Sequence, residues 1–288
     1  QGNANDGYSL TLAGQTCLII SPLELRFITT ANDQPCEANT KLRLTLGDNT
    51  RLTLLEIHEP AAMLSAHVME TEITLGKQAK LVHGKILNGG KNAVHLAQNR
   101  ITVAVGAYYD NFTLLADGKL TRNELDVTLA GEMAQCNLNG AMLARGAAHI
   151  DTTINVRHQT PHSTSRQIYK SVLDDKARAV FQGKIAVAKD AQKTDGHQLS
   201  RTLLLSDSAE MDAKPELEIY ADDVKCSHGS TVGDLDENAL FYLRQRGLNA
   251  HEARAMLIRA FVDELVDEIQ APELKAAVAT EVGVWLHE

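Results

Sequence analysis

The run Lys41-Leu-Arg-Leu-Thr-Leu46, then Gly47-Asp48-Asn49, then Arg51-Leu-Thr-Leu-Leu55 decides the fold class of this chain. Apolar and polar residues alternating with a period of two mark half-buried strands, and Gly, Asp and Asn between such runs supply turn chemistry. The same pattern recurs at Tyr8-Ser-Leu-Thr-Leu12, Asn99-Arg-Ile-Thr-Val-Ala-Val105 and Glu124-Leu-Asp-Val-Thr-Leu129. Turns of the same kind stand at Asn88-Gly89-Gly90 and Asp117-Gly118. A strand every ~10 residues also suits a sandwich or a barrel. Two features favour a β-helix or solenoid. The strand register runs from Tyr8 to Val232 without a convincing amphipathic helix, and small residues recur at the turns, as stacked coils require. No strict repeat is visible.

Past Gly233 the period changes to 3.6 residues, which divides the chain into a β core over 1–233 and a helical region over 234–288. Asp236 to Arg246 reads as a short helix closed by Gly247. Asn249 caps a longer helix, with Glu252 three residues on as in a capping box, and this helix runs to about Ile269. Pro272 starts a third helix that reaches about Leu286. In the long helix Ala253, Met256, Leu257, Ala260, Phe261, Leu265 and Ile269 form one stripe, which Ile258, Val262 and Val266 widen. Arg254 and Arg259 lie toward its start, whereas Asp263, Glu264, Asp267 and Glu268 crowd its end. That polarity opposes the helix dipole. It implies either compensating charges elsewhere in the chain or a docking surface with a basic and an acidic end.

Composition narrows the function classes. The 288 residues are 44% hydrophobic and only 4% aromatic, so small aliphatic side chains must fill most of the core. A formal charge of -9 argues against nucleic acid as the main partner. No apolar run approaches the ~18 residues of a membrane span, and no secretory signal is read. Neither a phosphate-binding glycine loop nor a GxSxG elbow nor an HExxH helix is present. Cys17, Cys36, Cys136 and Cys226 are widely and irregularly spaced. Cys17 and Cys36 could pair in an oxidising compartment, but reduced thiols in the cytoplasm are the expectation. The chain opens Gln1-Gly2-Asn3 and turns strand-like at once, which reads as a piece of a longer protein.

The chemistry concentrates in Lys225-Cys226-Ser227-His228-Gly229. Residues i and i+2 of a strand share a face, so Cys226 and His228 can address one metal ion. Thiolate beside imidazole suits zinc, copper or iron, yet a closed tetrahedral site needs four ligands. The rest must come from elsewhere in the chain or from another protein. Leu217, Ile219 and Ala221 hold odd positions whereas Val224, Cys226 and His228 are even, so a bulge or bend is expected near Asp222-Asp223. His149, His158 and His162, near Asp151, form a weaker candidate group.

The segment from Lys214 through Tyr220-Ala221-Asp222-Asp223 to Gly229 resembles the SufB/SufD family of iron–sulfur cluster assembly proteins. So do Gln167 to Arg178, Phe181-Gln-Gly-Lys-Ile185, Ala191 to Asp195 and Leu240 to Gly247. Lys-Cys-Ser-His-Gly and Val172-Leu-Asp-Asp-Lys176 look like the SufD branch. Ser230 and Gly196 depart from the alanines common there. The resemblance implies a right-handed parallel β-helix followed by a C-terminal helical domain, and a non-catalytic scaffold subunit. It further implies pairing with a SufB-type subunit and docking of a SufC-type ABC ATPase on the helices, with Phe241, Arg244, Arg254, Met256, Leu257 and Phe261 as the docking region. It implies as well that His228 and Cys226 share iron or a transient iron–sulfur cluster with the SufB-type partner, with no cofactor held stably by the isolated chain. A homodimer remains an alternative to the monomer for that isolated chain. A secreted β-helix polysaccharide lyase or hydrolase is the alternative function. A purely structural solenoid, in which Cys226 and His228 merely pack, is the third.

Overall fold

The computed structural model describes residues 4–13, 21–28, 36–59, 65–90 and 92–287. Among the described residues, sixteen strands alternate between two parallel sheets of eight. The first sheet is built from β1 (Ala4–Leu12), β3 (Cys36–Leu46), β5 (Ser65–Leu75), β7 (Ala93–Val103), β9 (Leu120–Leu129), β11 (His149–His158), β13 (Arg178–Val187) and β15 (Glu210–Ile219), in that order. The second runs β2 (Leu23–Phe27), β4 (Arg51–His58), β6 (Lys80–Asn88), β8 (Tyr108–Ala116), β10 (Gln135–Ala144), β12 (Thr164–Leu173), β14 (Asp195–Leu204) and β16 (Lys225–Gly233). Each strand from β1 to β14 pairs with the strand two further on, so the chain is the β-solenoid that the strand register favoured. The possible Cys17–Cys36 pairing lies outside the described residues.

The coils are unequal, and that hides the repeat. Ile73 pairs with Ile101, 28 residues on; Ile101 pairs with Val127, 26 on; Val127 pairs with Val156, 29 on. What recurs is a backbone state. Asn49, Gln78, Gly106, Met133, His162 and Lys193 occupy the left-handed region at successive corners, with φ between 57° and 63°. Each donates its N–H to a carbonyl one coil further on, from Asn49 to Lys77 at 2.8 Å through to Lys193 to Asp223 at 2.7 Å. The corner hydrogen bonds are therefore met by stacking, whichever residue stands there.

Inward-facing residues of both sheets meet in one apolar bore that runs from Leu44 and Leu52 to Phe181 and Ala209. The outer faces differ. Strands of the first sheet alternate buried and solvated positions, as β9 and β11 do, and surface pairs such as Arg43–Glu72 and Arg122–Asp151 line their outside. The middle strands of the second sheet are buried on both faces because helices cover them.

Those helices are α1 (Glu237–Gln245), α2 (Ala250–Val266) and α3 (Pro272–His287). The capping box forms as expected, with Asn249 Oδ1 accepting from the Glu252 backbone at 2.9 Å and Glu252 Oε2 from that of Asn249 at 3.0 Å. Gly247 closes α1 at φ 97°. The buried face of α2 is Ala253, Ile258, Val262, Leu265 and Val266, rotated from the expected stripe: Met256 and Ala260 point to solvent. With Leu274, Val278, Val282 and Trp285 of α3 this face joins Leu55, Ile86, Phe112, Leu114 and Leu143 of the second sheet in a single cluster. Gly84 allows the closest approach: a Cβ there would lie 2.0 Å from Leu274 Cδ1. No helix among the described residues is long and apolar enough to cross a membrane.

The acidic end of α2 is neutralised within the chain. Glu264 meets Lys170 at 2.5 Å and Arg201 at 3.4 Å, Glu268 meets Arg166 at 3.4 Å, Asp267 meets Lys275 at 2.7 Å, and Asp263 meets Arg259 at 2.7 Å. Of the two readings that the charge pattern left open, tertiary compensation is the one found. The solenoid supplies Arg166 and Lys170 from β12 and Arg201 from β14; Arg259 and Lys275 come from α2 and α3.

Candidate functional site

β16 ends the second sheet and lies on β14, with Cys226 opposite Gly196 and His228 opposite Gln198. Register partners on a parallel ladder project to the same face. Gln198 is buried, so Cys226 and His228 share the inward face at the last coil. The change of phase near Asp222-Asp223 is a bend, and it is a corner of the solenoid. β15 ends at Ile219 in the first sheet, and β16 begins at Lys225 in the second.

The two side chains sit differently. Cys226 is half-buried against Ile185, Val187, Ala191, Leu217 and Val224, and a Cβ added at Gly196 would meet its Sγ at 3.6 Å. Burial pushes its thiol up; a hydrogen bond from the Gly196 backbone opposes this, and Asp195 adds to it. The free chain therefore presents a thiol, and a metal ion must displace its proton. His228 is exposed. By successive registers it tops a file of inward residues: Gln198, Gln167, Leu138, Asn111 and His83. The amide groups of Gln167 and Gln198 are buried with no hydrogen-bond partner among the described residues. No third His, Cys, Asp or Glu among the described residues completes a cluster of three around Cys226 and His228.

The end of the solenoid is open. β15 and β16 each close their sheet's order, β16 is mostly exposed, and Ile219, Tyr220 and Val232 present apolar surface beside it. Unpaired edges of this kind are strand-pairing surfaces. In the helical region Phe241, Arg244 and Met256 face outward and Leu257 is partly covered. Arg254 instead donates to the Leu205 carbonyl at 2.9 Å, and Phe261 lies beneath Lys170 at 4.6 Å. These two are engaged with the solenoid.

The weaker histidine group separates. His158 is fully buried, with Nδ1 2.7 Å from Ser163 Oγ and Nε2 2.9 Å from Ser165 Oγ, and burial lowers its pKa to about 4. His162 is one of the left-handed corner residues. Neither shares a site with Asp151, whose partner is Arg122 at 3.1 Å.

A second histidine cluster escaped the sequence reading. In the bore, Glu56 of β4 accepts from His58 Nε2 at 2.5 Å and His83 Nε2 at 3.1 Å, and Lys85 Nζ stands 3.0 Å away. Burial alone pushes the Glu56 carboxyl up, but Lys85 and the two histidine hydrogen bonds outweigh it and hold the acid well below its usual range. Beyond Glu56, the rings of His58, His67 and His95 form a triangle with centroids 4.8 to 5.5 Å apart. Burial, reinforced by neighbouring positive groups, lowers the pKa of all three, that of His67 to about 4. The available signal was spacing: His67 and His95 are ladder partners 28 residues apart, one coil.

A two-sheet parallel β-solenoid with helices packed on its second sheet defines the structural class of this chain. Residues 27–261 match the family described as SUF system FeS cluster assembly, SufBD core domain. The chain is 35% identical over 266 residues to the iron–sulfur cluster assembly protein SufD of Escherichia coli K12, a match that covers 91% of this chain and 63% of that protein. It is 32% identical over 264 residues to the SufBD family protein slr0076 of Synechocystis, covering 88% and 58%, and 31% identical over 205 residues to the chloroplastic protein ABCI7 of Arabidopsis thaliana, covering 71% and 43%. The chain belongs to the SufB/SufD family and is of the SufD type. It spans 58% and 63% of the first two relatives.

Proposed function

We propose that this chain is a non-catalytic scaffold subunit in cytoplasmic iron–sulfur cluster assembly. It pairs with a SufB-type subunit at the open end of the solenoid, and a SufC-type ATPase docks on the helical region through Phe241, Arg244, Met256 and Leu257. His228, with Cys226, receives iron or a nascent cluster whose remaining ligands the partner supplies. One observation carries this reading: an incomplete thiol–imidazole pair lies on an exposed terminal strand with an unpaired edge. A tetrahedral ion needs four ligands, and an unpaired edge is where a second chain adds its own. Family membership favours this over a solenoid enzyme acting on polysaccharide.

The test is His228→Ala in cells that depend on this system. Co-purification with the SufB-type and SufC-type partners is expected to persist while cluster maturation is lost. Wild-type maturation by the purified variant complex would remove the ligand role. Unchanged maturation by the Cys226→Ala/His228→Ala double variant would support a purely structural strand.

A further inference from the structure

We propose that His58, His67 and His95 form a metal site inside the solenoid, one that takes a single imidazole-preferring divalent ion of the zinc or ferrous class. It is separate from β16 and does not rest on the reading of Cys226 and His228.

Each of the three rings offers one nitrogen, and the three nitrogens lie within 4.8 Å of one another. They line a cavity of about 30 Å³ beside the end of β4 and the start of β5, together with Phe27, Ser65 and Asn88. That volume accommodates one ion with a bound water. Phe27 stacks on His58 at 4.6 Å and forms an apolar wall.

The ring nitrogens are set up as ligands. His58 gives its Nε2–H to the Glu56 carboxylate, so the lone pair is on Nδ1, which is buried and has no partner among the described residues. Nε2 of His95 is likewise buried without a partner among the described residues, and His95 is only 4% exposed. His67 Nε2 lies 2.9 Å from Thr40 Oγ1. A carboxylate or hydroxyl behind each of two rings is the outer support that ligating histidines have, because it fixes the tautomer and raises ligand basicity. A purely structural triad would leave two buried nitrogens unsatisfied, at a cost in free energy; an ion satisfies both at once. Lys85 is the opposing charge nearby, and Glu56 neutralises it at 3.0 Å.

Tetrahedral ligation at 2.0–2.1 Å places nitrogens ~3.3 Å apart, so nitrogens that now lie within 4.8 Å of one another close by up to ~1.5 Å on binding. His67, the least buried of the three, has the freedom to do so. Three imidazoles leave a fourth position open, and imidazole sets of this kind suit zinc, iron, nickel and copper.

The test is a cobalt(II) titration of the full chain carrying Cys226→Ala and His228→Ala, under anaerobic conditions. One equivalent is expected to bind with the visible bands of four- or five-coordinate cobalt, and zinc(II) is expected to displace it. X-ray absorption is expected to count three imidazoles. His95→Ala is expected to weaken binding more than the ~10–100-fold that an outer-shell change costs, with its far-ultraviolet circular dichroism unchanged. An octahedral cobalt spectrum, fewer than two imidazoles, no displacement by zinc or wild-type affinity in folded His95→Ala would each overturn the proposal. Should that variant unfold, the imidazole count in the parent chain decides alone.

Discussion

The solenoid carries imidazoles in two contrasting settings. In the early coils Glu56, His58, His67, His83, Lys85 and His95 converge from β4, β5, β6 and β7, nearly all of them buried; Glu56 bonds His58, His83 and Lys85, and the rings of His58, His67 and His95 pack together. At the other end, Cys226 and His228 stand on one strand with solvent and an unpaired edge beside them. Glu56 meets its cation and two histidines within the chain, which ties the inner cluster to stability, while His58 Nδ1 and His95 Nε2 lack partners among the described residues. The outer pair has no third ligating side chain beside it among the described residues, and the interface role proposed for it is what the variants below test. The same residue type serves both settings, and burial decides which.

Substitutions can break that contrast. The largest stability effect is expected at Lys85→Met, which leaves Glu56 buried without its cation. Removing one partner of a buried pair costs ~3–5 kcal/mol, read as a fall in the urea midpoint, and an unchanged midpoint would show that the inner network is not holding the coils.

Acid is expected to act next. His158 has a pKa of about 4 when folded against 6.5 for the ordinary side chain. The unfolded chain therefore takes up this proton first as pH falls. The contribution of the neutral ring is complete above pH 6.5, declines through the window from 6.5 to 4 and is gone below it, on the order of 3 kcal/mol in all. His158→Gln is expected to remove about one proton from the stability slope in that window. A slope equal to wild type would mean that the ring titrates normally.

Gly84→Ala probes the seam between solenoid and helices. Its new methyl must displace Leu274, and overpacking of this kind costs ~1–3 kcal/mol, measurable as a lower melting temperature. Smallest of all, the Cys226→Ala/His228→Ala double variant is expected to shift stability by no more than ~0.5 kcal/mol. A larger loss would mean that the terminal strand is structural after all. The order of effects on cluster maturation is expected to reverse, with His228→Ala the most damaging.

Much of this was written locally. The alternation in Lys41–Leu46 and Arg51–Leu55, the cap at Asn249 and the stop at Gly247 each depend on residues within one strand or turn, and all appear in the structure. The pairing of Cys226 and His228 on one strand face was legible for the same reason. The helix stripe was less so: Met256 and Ala260 fit the period but face solvent, because the face of α2 that packs on the sheet and α3 carries Ile258, Val262, Leu265 and Val266 instead. The partners of Glu264 and Glu268 were not legible either, since Lys170, Arg201 and Arg166 reach them from β12 and β14.

By itself, then, the sequence determined a long run of strands, three helices and a Cys226/His228 pair on one face of the last strand. Backbone geometry sets those over a few residues. Only the tertiary structure decided which histidines meet. His67 and His95 stand one 28-residue coil apart, but His58 lies in the other sheet and no ladder spacing ties it to them. Stacking brings them together, and burial then makes them neutral, oriented and short of partners, a state that no single strand could impose.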